Sequence, residues 1–184
     1  METVTRDAGW ATIPNAFTVL RFLLLAPVCW FILEARSGPT AVVLLLVWAG
    51  TDWIDGWLAR RTNQVSRVGE VIDPIADRVG ISLVIVCLAV QALVSWWVVV
   101  IILTADAASV VFAGHAAAKG HIHVNYLGKV RTALLFVALG VLVAASTWLP
   151  QYTALGQALI WAGTALHVAA AVGYGVQARG SRRS

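Results

Sequence analysis

The chain has 184 residues, 60% of them hydrophobic and 12% charged, with a formal net charge of +4 and mean hydropathy +0.82. A soluble domain is roughly 45–50% apolar and about 25% charged, so an ordinary soluble enzyme is excluded and an all-α integral membrane protein is expected. The length suits about six spans of ~20 residues in one membrane domain over 1–184, with no room for a soluble domain and no nucleic-acid partner expected.

In chain order, residues 1–12 form a polar lead with Trp10 near its end, expected to lie at the membrane interface. Apolar runs then predict a six-helix transmembrane bundle with spans at about 13–33, 40–60, 69–93, 96–118, 126–149 and 152–177. Pro14 suits the first turn of the first helix, where no amide is missed. Arg21 lies two turns in, where it either snorkels or faces a polar site. Cys29 and Cys87 fall inside apolar spans without metal-ligand spacing, so they are expected as small packing residues and not as a disulfide. The N-terminus is acidic as well as basic and shows no small-residue cleavage site, so no cleavable signal peptide is expected.

Later in the chain, Ala92 to Trp97 makes a charge-free turn. Asp106 is an intramembrane acid, expected to pair with Arg21, Arg78 or Arg131. His115 and His167 sit within spans and are expected as hydrogen-bonded packing residues. His121 and His123 lie in a polar loop. Lys129 and Arg131 open the fifth span, either as topology anchors or as ligands for an anion. Trp148, Pro150 and Tyr152 mark an interface. Arg6, Arg60, Arg61, Arg67, Lys119, Lys129, Arg131, Arg179, Arg182 and Arg183 belong to the termini and the even loops, while the odd loops offer Arg36. The positive-inside rule therefore places both termini, and whatever site lies beside them, on the cytoplasmic face of the cell membrane.

The stretch TDWIDGWLARRTNQVSRVGEVIDPIAD concentrates the chemistry. It carries Asp52, Asp55, Asp73 and Asp77 between apolar flanks. A carboxylate at mid-bilayer costs about 2.5–3.5 kcal/mol on insertion scales, so four in one hairpin call for a compensating cation. Asp52 and Asp55 are i, i+3; Asp73 and Asp77 are i, i+4; each pair shares a helix face. Asp55 and Asp73 are equidistant from Gln64, so an antiparallel hairpin turning there brings all four acids to one depth. Hard oxygen donors suit Mg²⁺ or Mn²⁺, and four can hold two ions about 3.5–4 Å apart. Between the acids, Gly56 and Ala59 allow close approach of a ligand, Arg60 and Arg61 can meet a pyrophosphate, and Gly69 leaves room at a helix N-terminus that favours anions.

Asp52-x2-Asp55-Gly56-x2-Ala59-Arg60-x8-Gly69-x3-Asp73-x3-Asp77 matches without a gap the signature of the CDP-alcohol phosphotransferase family, and the chain resembles that family throughout. IPNAFTVLR and VNYLGKVRT resemble segments of its phosphatidylglycerophosphate synthases and CMP-forming cardiolipin synthases. The resemblance implies a bundle of six transmembrane helices, homodimeric, moving the phosphatidyl group of CDP-diacylglycerol to an anionic alcohol with release of CMP. It implies Asp52, Asp55, Asp73 and Asp77 as ligands of Mg²⁺ or Mn²⁺, Asp77 also as general base, and Gly56, Ala59, Arg60 and Gly69 as the CDP site. Arg21, Lys129 and Arg131 would meet the acceptor, glycerol 3-phosphate first and phosphatidylglycerol second. Relatives often carry Arg where this chain has Ala105, which weakens the case for glycerol 3-phosphate. A cation transporter would explain the acids but not the Gly/Ala spacing or the basic turn; a structural subunit explains neither.

Overall fold

The computed structural model describes residues 13–34, 38–62, 67–117 and 126–180, and within them the side chains of 16, 18–34, 39–51, 54, 76–110 and 130–173. Helices account for nearly all of it: α1 Ile13–Glu34, α2 Gly38–Thr62, α3 Arg67–Val90, α4 Trp96–Ala117, α5 Tyr126–Thr147 and α6 Thr153–Gly180. A short 3₁₀ turn, Pro150–Tyr152, leads into α6. The helix ends fall within a few residues of the expected apolar runs. The polar lead at 1–12 and the loop carrying His121 and His123 lie outside the described residues.

The chain gathers into two compact units, Met1–Val84 and Ile85–Ser184, the division falling within α3. In the first, α1 packs along α2. The inward face of α1 is Thr18, Arg21, Leu25, Val28 and Ile32, all buried at steps of three and four, the spacing of one helical stripe. Ala41, Leu45, Trp48 and Thr51 make the matching stripe on α2. Gly80 of α3 is packed so closely on Trp48 that an added Cβ would lie 2.1 Å from the indole ring.

In the second unit α6 packs against both α4 and α5. Glycines set the α5–α6 approach: a Cβ at Gly156 would meet Leu142 at 2.8 Å, and one at Gly163 would meet Leu135 at 2.7 Å. Small residues at a helix interface let backbones come close where apolar burial alone gives little drive, as between helices in lipid. The turn after α3 is closed by bonds from the Gln91, Ala92 and Leu93 amides to the carbonyls of Cys87, Ala89 and Leu88. Ala92 takes the left-handed conformation there, at φ 57°. The Gln157 amide donates to the Leu93 carbonyl, tying α6 to this turn.

Outward faces are apolar and several inward positions are charged. Val19, Leu20, Phe22, Leu23 and Trp30 of α1 are exposed while Arg21 is buried; Val100, Leu103 and Val110 of α4 are exposed while Asp106 is buried. That inversion suits a hydrocarbon solvent, in which polar groups turn inward and apolar ones outward. Among the described residues, Val130–Thr147 and Pro150–Gly173 are long and apolar enough to cross a membrane, and Pro39–Thr51 and Trp96–Val110 are shorter apolar helical stretches. Cys29 and Cys87 stand as thiols, half-buried and buried.

Candidate functional site

The motif straddles the end of α2 and the start of α3. Asp52, Asp55, Gly56, Ala59 and Arg60 fall on α2, and Gly69, Asp73 and Asp77 on α3. The side chains of Asp52, Asp55, Ala59, Arg60 and Asp73 lie outside the described residues, as does that of Lys129. Trp48 and Gly80, which touch, are equidistant from Gln64, just as Asp55 and Asp73 are. Continued along two regular helices, that register sets Asp55 at the level of Asp73 and Asp52 close to the level of Asp77.

Asp77 is the one motif acid whose side chain is described. Arg21 Nη1 donates to its Oδ1 at 2.7 Å, linking α1 to α3. The Arg21 side chain is 2% exposed and that of Asp77 is 25% exposed. Arg21 therefore does not snorkel; it turns inward and places a cation on a motif carboxylate. The short distance is that of a charge-assisted bond, roughly twice as strong as one between neutral groups. Thr51, immediately before the motif, donates its hydroxyl to the Trp48 carbonyl at 2.6 Å, leaving its helix face to packing.

A second polar cluster lies in the other unit. His167 Nε2 is 3.0 Å from Asp106 Oδ1, joining α6 to α4. His167, expected as a hydrogen-bonded packing residue, is hydrogen-bonded and buried. For Asp106 the structure gives a partner that the sequence reading did not name, the imidazole of His167. The physical reason is the close parallel packing of α4 on α6, which brings two mid-helix polar groups to one depth. Arg131 is also buried, 8% exposed, on the α5 face that carries Leu135 and Leu142. A signal for the pair existed in the sequence, since each residue stands alone among apolar neighbours near the middle of its span.

Among the described residues no group of three or more His, Cys, Asp or Glu is placed to hold a metal ion. The donor chemistry of the motif, four carboxylates, is the kind that hard divalent cations take.

Comparison with known proteins gives a consistent answer. A family model described as CDP-alcohol phosphatidyltransferase matches residues 11–169. A "Cardiolipin synthase (CMP-forming)" of Streptomyces coelicolor is 34% identical over 188 aligned positions, covering 97% of this chain and 87% of the relative. A "CDP-diacylglycerol--glycerol-3-phosphate 3-phosphatidyltransferase" of Escherichia coli K12 is 34% identical over 171 positions, 87% of each chain. A "Putative cardiolipin synthase" of Mycobacterium tuberculosis H37Rv is 35% identical over 107 residues; the match spans 58% of this chain and about half, 51%, of that relative.

Proposed function

Because this chain belongs to the CDP-alcohol phosphatidyltransferase family, we propose that it moves the phosphatidyl group of CDP-diacylglycerol to a phosphate-bearing alcohol and releases CMP. The observation that carries this reading is the α2–α3 register fixed by Trp48 on Gly80, together with the inward Arg21–Asp77 bond at the end of the motif. Six membrane spans, cytoplasmic termini and a homodimer complete the reading, and follow from the family and from the loop charges.

In this mechanism the acceptor hydroxyl oxygen bonds to the β-phosphorus of CDP-diacylglycerol. The bond from that phosphorus to the bridging oxygen breaks, and CMP leaves with the bridging oxygen. Asp77 takes the hydroxyl proton; its side chain is open enough for an acceptor to reach, and Arg21 holds the carboxylate in place. Asp52, Asp55, Asp73 and Asp77 would hold Mg²⁺ or Mn²⁺, two ions in all, whose charge neutralises the diphosphate and the leaving CMP. Gly56, Ala59, Arg60 and Gly69 hold the CDP group, the small residues by permitting close approach and the arginine by charge. Arg21, Lys129 and Arg131 receive the acceptor phosphate. A guanidinium carries five N–H donors, so the bond from Arg21 to Asp77 is compatible with a second role.

Glycerol 3-phosphate is the first acceptor, from the cations at the start of α5 and from the Escherichia coli relative. Phosphatidylglycerol is the second. It is favoured by Ala105, a buried residue where relatives often have arginine, because a phosphodiester carries less charge than a phosphomonoester and needs fewer cations. Purified protein mixed with CDP-diacylglycerol, Mg²⁺ and each acceptor in turn tests both. CMP release with phosphatidylglycerophosphate as product supports the first, and cardiolipin supports the second. No CMP with either acceptor overturns the enzyme reading.

A further inference from the structure

Arg21 is the most enclosed charge among the described residues, at 2% exposed. It lies on the inward stripe of α1 between Thr18 and Leu25, and its Nη1 donates to Asp77 Oδ1 at 2.7 Å. Asp77 keeps a quarter of its side chain open, so the guanidinium holds one side of a carboxylate that a ligand can still reach. Arginine keeps its charge when buried, which makes this cation a fixed part of the site.

Two effects of such a cation on a metal-binding carboxylate oppose each other. Its hydrogen bond orients the carboxylate, and losing an outer partner of that kind weakens metal binding about 10–100-fold. Its charge repels the ion. For a single and a double charge taken as about 5 Å apart, at an effective dielectric of about 20, the repulsion lowers affinity by more than about 10³-fold. Repulsion therefore outweighs orientation. Charge balance agrees with that result. Two divalent ions neutralise the four motif carboxylates, Asp52, Asp55, Asp73 and Asp77. With Arg21 fixed on Asp77, a first ion still enters a site of net negative charge, but a second leaves positive charge in excess. A diphosphate removes that excess.

We propose that Arg21 competes with divalent cations for Asp77, so that the second ion binds tightly only together with a diphosphate. The diphosphate of the nucleotide lipid offsets the guanidinium, and lipid and ion enter as a set. By linkage each tightens the other by the same factor. The inference rests on the metal reading above and deepens it, by naming what controls occupancy of that centre. Arg21 acts here through Asp77, as a positioning residue whose charge sets the affinity for the ion.

Mn²⁺ binding to full-length protein in detergent tests this, read by electron paramagnetic resonance of the free ion with and without CDP-diacylglycerol. Lipid micelles without protein supply the blank. In wild type the second Mn²⁺ should bind at least about 10-fold more tightly once the lipid is added, within the usual range of coupling between sites. Affinity for CDP-diacylglycerol should rise by the same factor on adding Mn²⁺. Arg21→Gln, which keeps an N–H for Asp77 without the charge, should take up the second ion at least about 10-fold more tightly than wild type in the absence of lipid. Arg21→Lys, which keeps the charge, should behave as wild type. A purely orienting arginine gives the opposite sign, with weaker Mn²⁺ binding in Arg21→Gln. That result on the monodisperse fraction, or second-ion binding in wild type that ignores the lipid, overturns the proposal. Misfolding lowers binding and cannot imitate the expected gain. Lipid-coupled Mn²⁺ binding without CMP release would keep the proposal and overturn the transferase reading. CMP release with uncoupled Mn²⁺ binding would do the reverse.

Discussion

Each unit buries a carboxylate against a nitrogen donor from another helix, and the two pairs are finished differently. In the first, Asp77 meets a permanent cation, Arg21, at 2.7 Å and keeps a quarter of its side chain open. In the second, Asp106 meets an imidazole at 3.0 Å and is 13% exposed. Arg21–Asp77 is an ion pair with one partner fully enclosed, and Asp106–His167 is a buried hydrogen bond, so each ties two helices through groups that are costly to leave unmatched. Their difference in access is informative. A carboxylate that must accept a proton needs a face a ligand can reach, whereas one that orients a neighbouring ring works best enclosed.

The largest effects should come from the open side. Asp52→Asn or Asp73→Asn should abolish CMP release while the protein stays monodisperse in detergent. EDTA should abolish it too, with recovery on adding Mg²⁺ or Mn²⁺. Turnover that survives thorough chelation would remove the metal from the proposed mechanism.

Next comes Asp77→Asn, expected to lower kcat by about 10²–10⁴-fold if proton acceptance is its main task. Binding of CDP-diacylglycerol should change much less, so the comparison to make is single-turnover rate against lipid affinity. A variant that turns over normally at saturation but binds no CDP-lipid would reverse the assignment.

On the enclosed side the effect is smaller and falls on binding. Arg131→Ala should raise the acceptor KM by about 10–100-fold, one charge-assisted hydrogen bond, and leave the KM for CDP-diacylglycerol nearly unchanged. An unchanged acceptor KM would return Arg131 to packing and topology.

The smallest change concerns the scaffold and pairs a tight glycine with a loose one. Gly80→Ala would drive a Cβ to 2.1 Å from the buried Trp48 ring and should destabilise the fold by about 1–3 kcal/mol, the usual range for overpacking. Gly140→Ala meets nothing within 4 Å and should be neutral or stabilising by up to about 1 kcal/mol, from helix propensity. Thermal unfolding in detergent reads both. Equal melting temperatures would show that α3 does not pack on α2 through Gly80.

Much of this was legible from residue order. Helix positions follow from apolar runs bounded by Gly38-Pro39, the Arg67 turn and Pro150, because hydropathy and breaker residues act locally. The motif from Asp52 to Asp77 was legible for a related reason: its spacing is set by helical period, and its symmetry about Gln64 requires only that the chain turn there. Composition, too, announced a membrane solvent before any packing was known.

Partner choice was not legible. The sequence suggested arginines for Asp106 and did not single out His167, which lies far along the chain and which packing brings to it. It left Arg21 between the membrane surface and the interior, and packing turned it onto Asp77. Such pairings depend on which helices approach closely and in what register, and that is decided by long-range fits such as Gly80 on Trp48 and Gly163 on Leu135. Local pattern fixes which face of a helix is buried; only tertiary contact fixes which residue lies opposite.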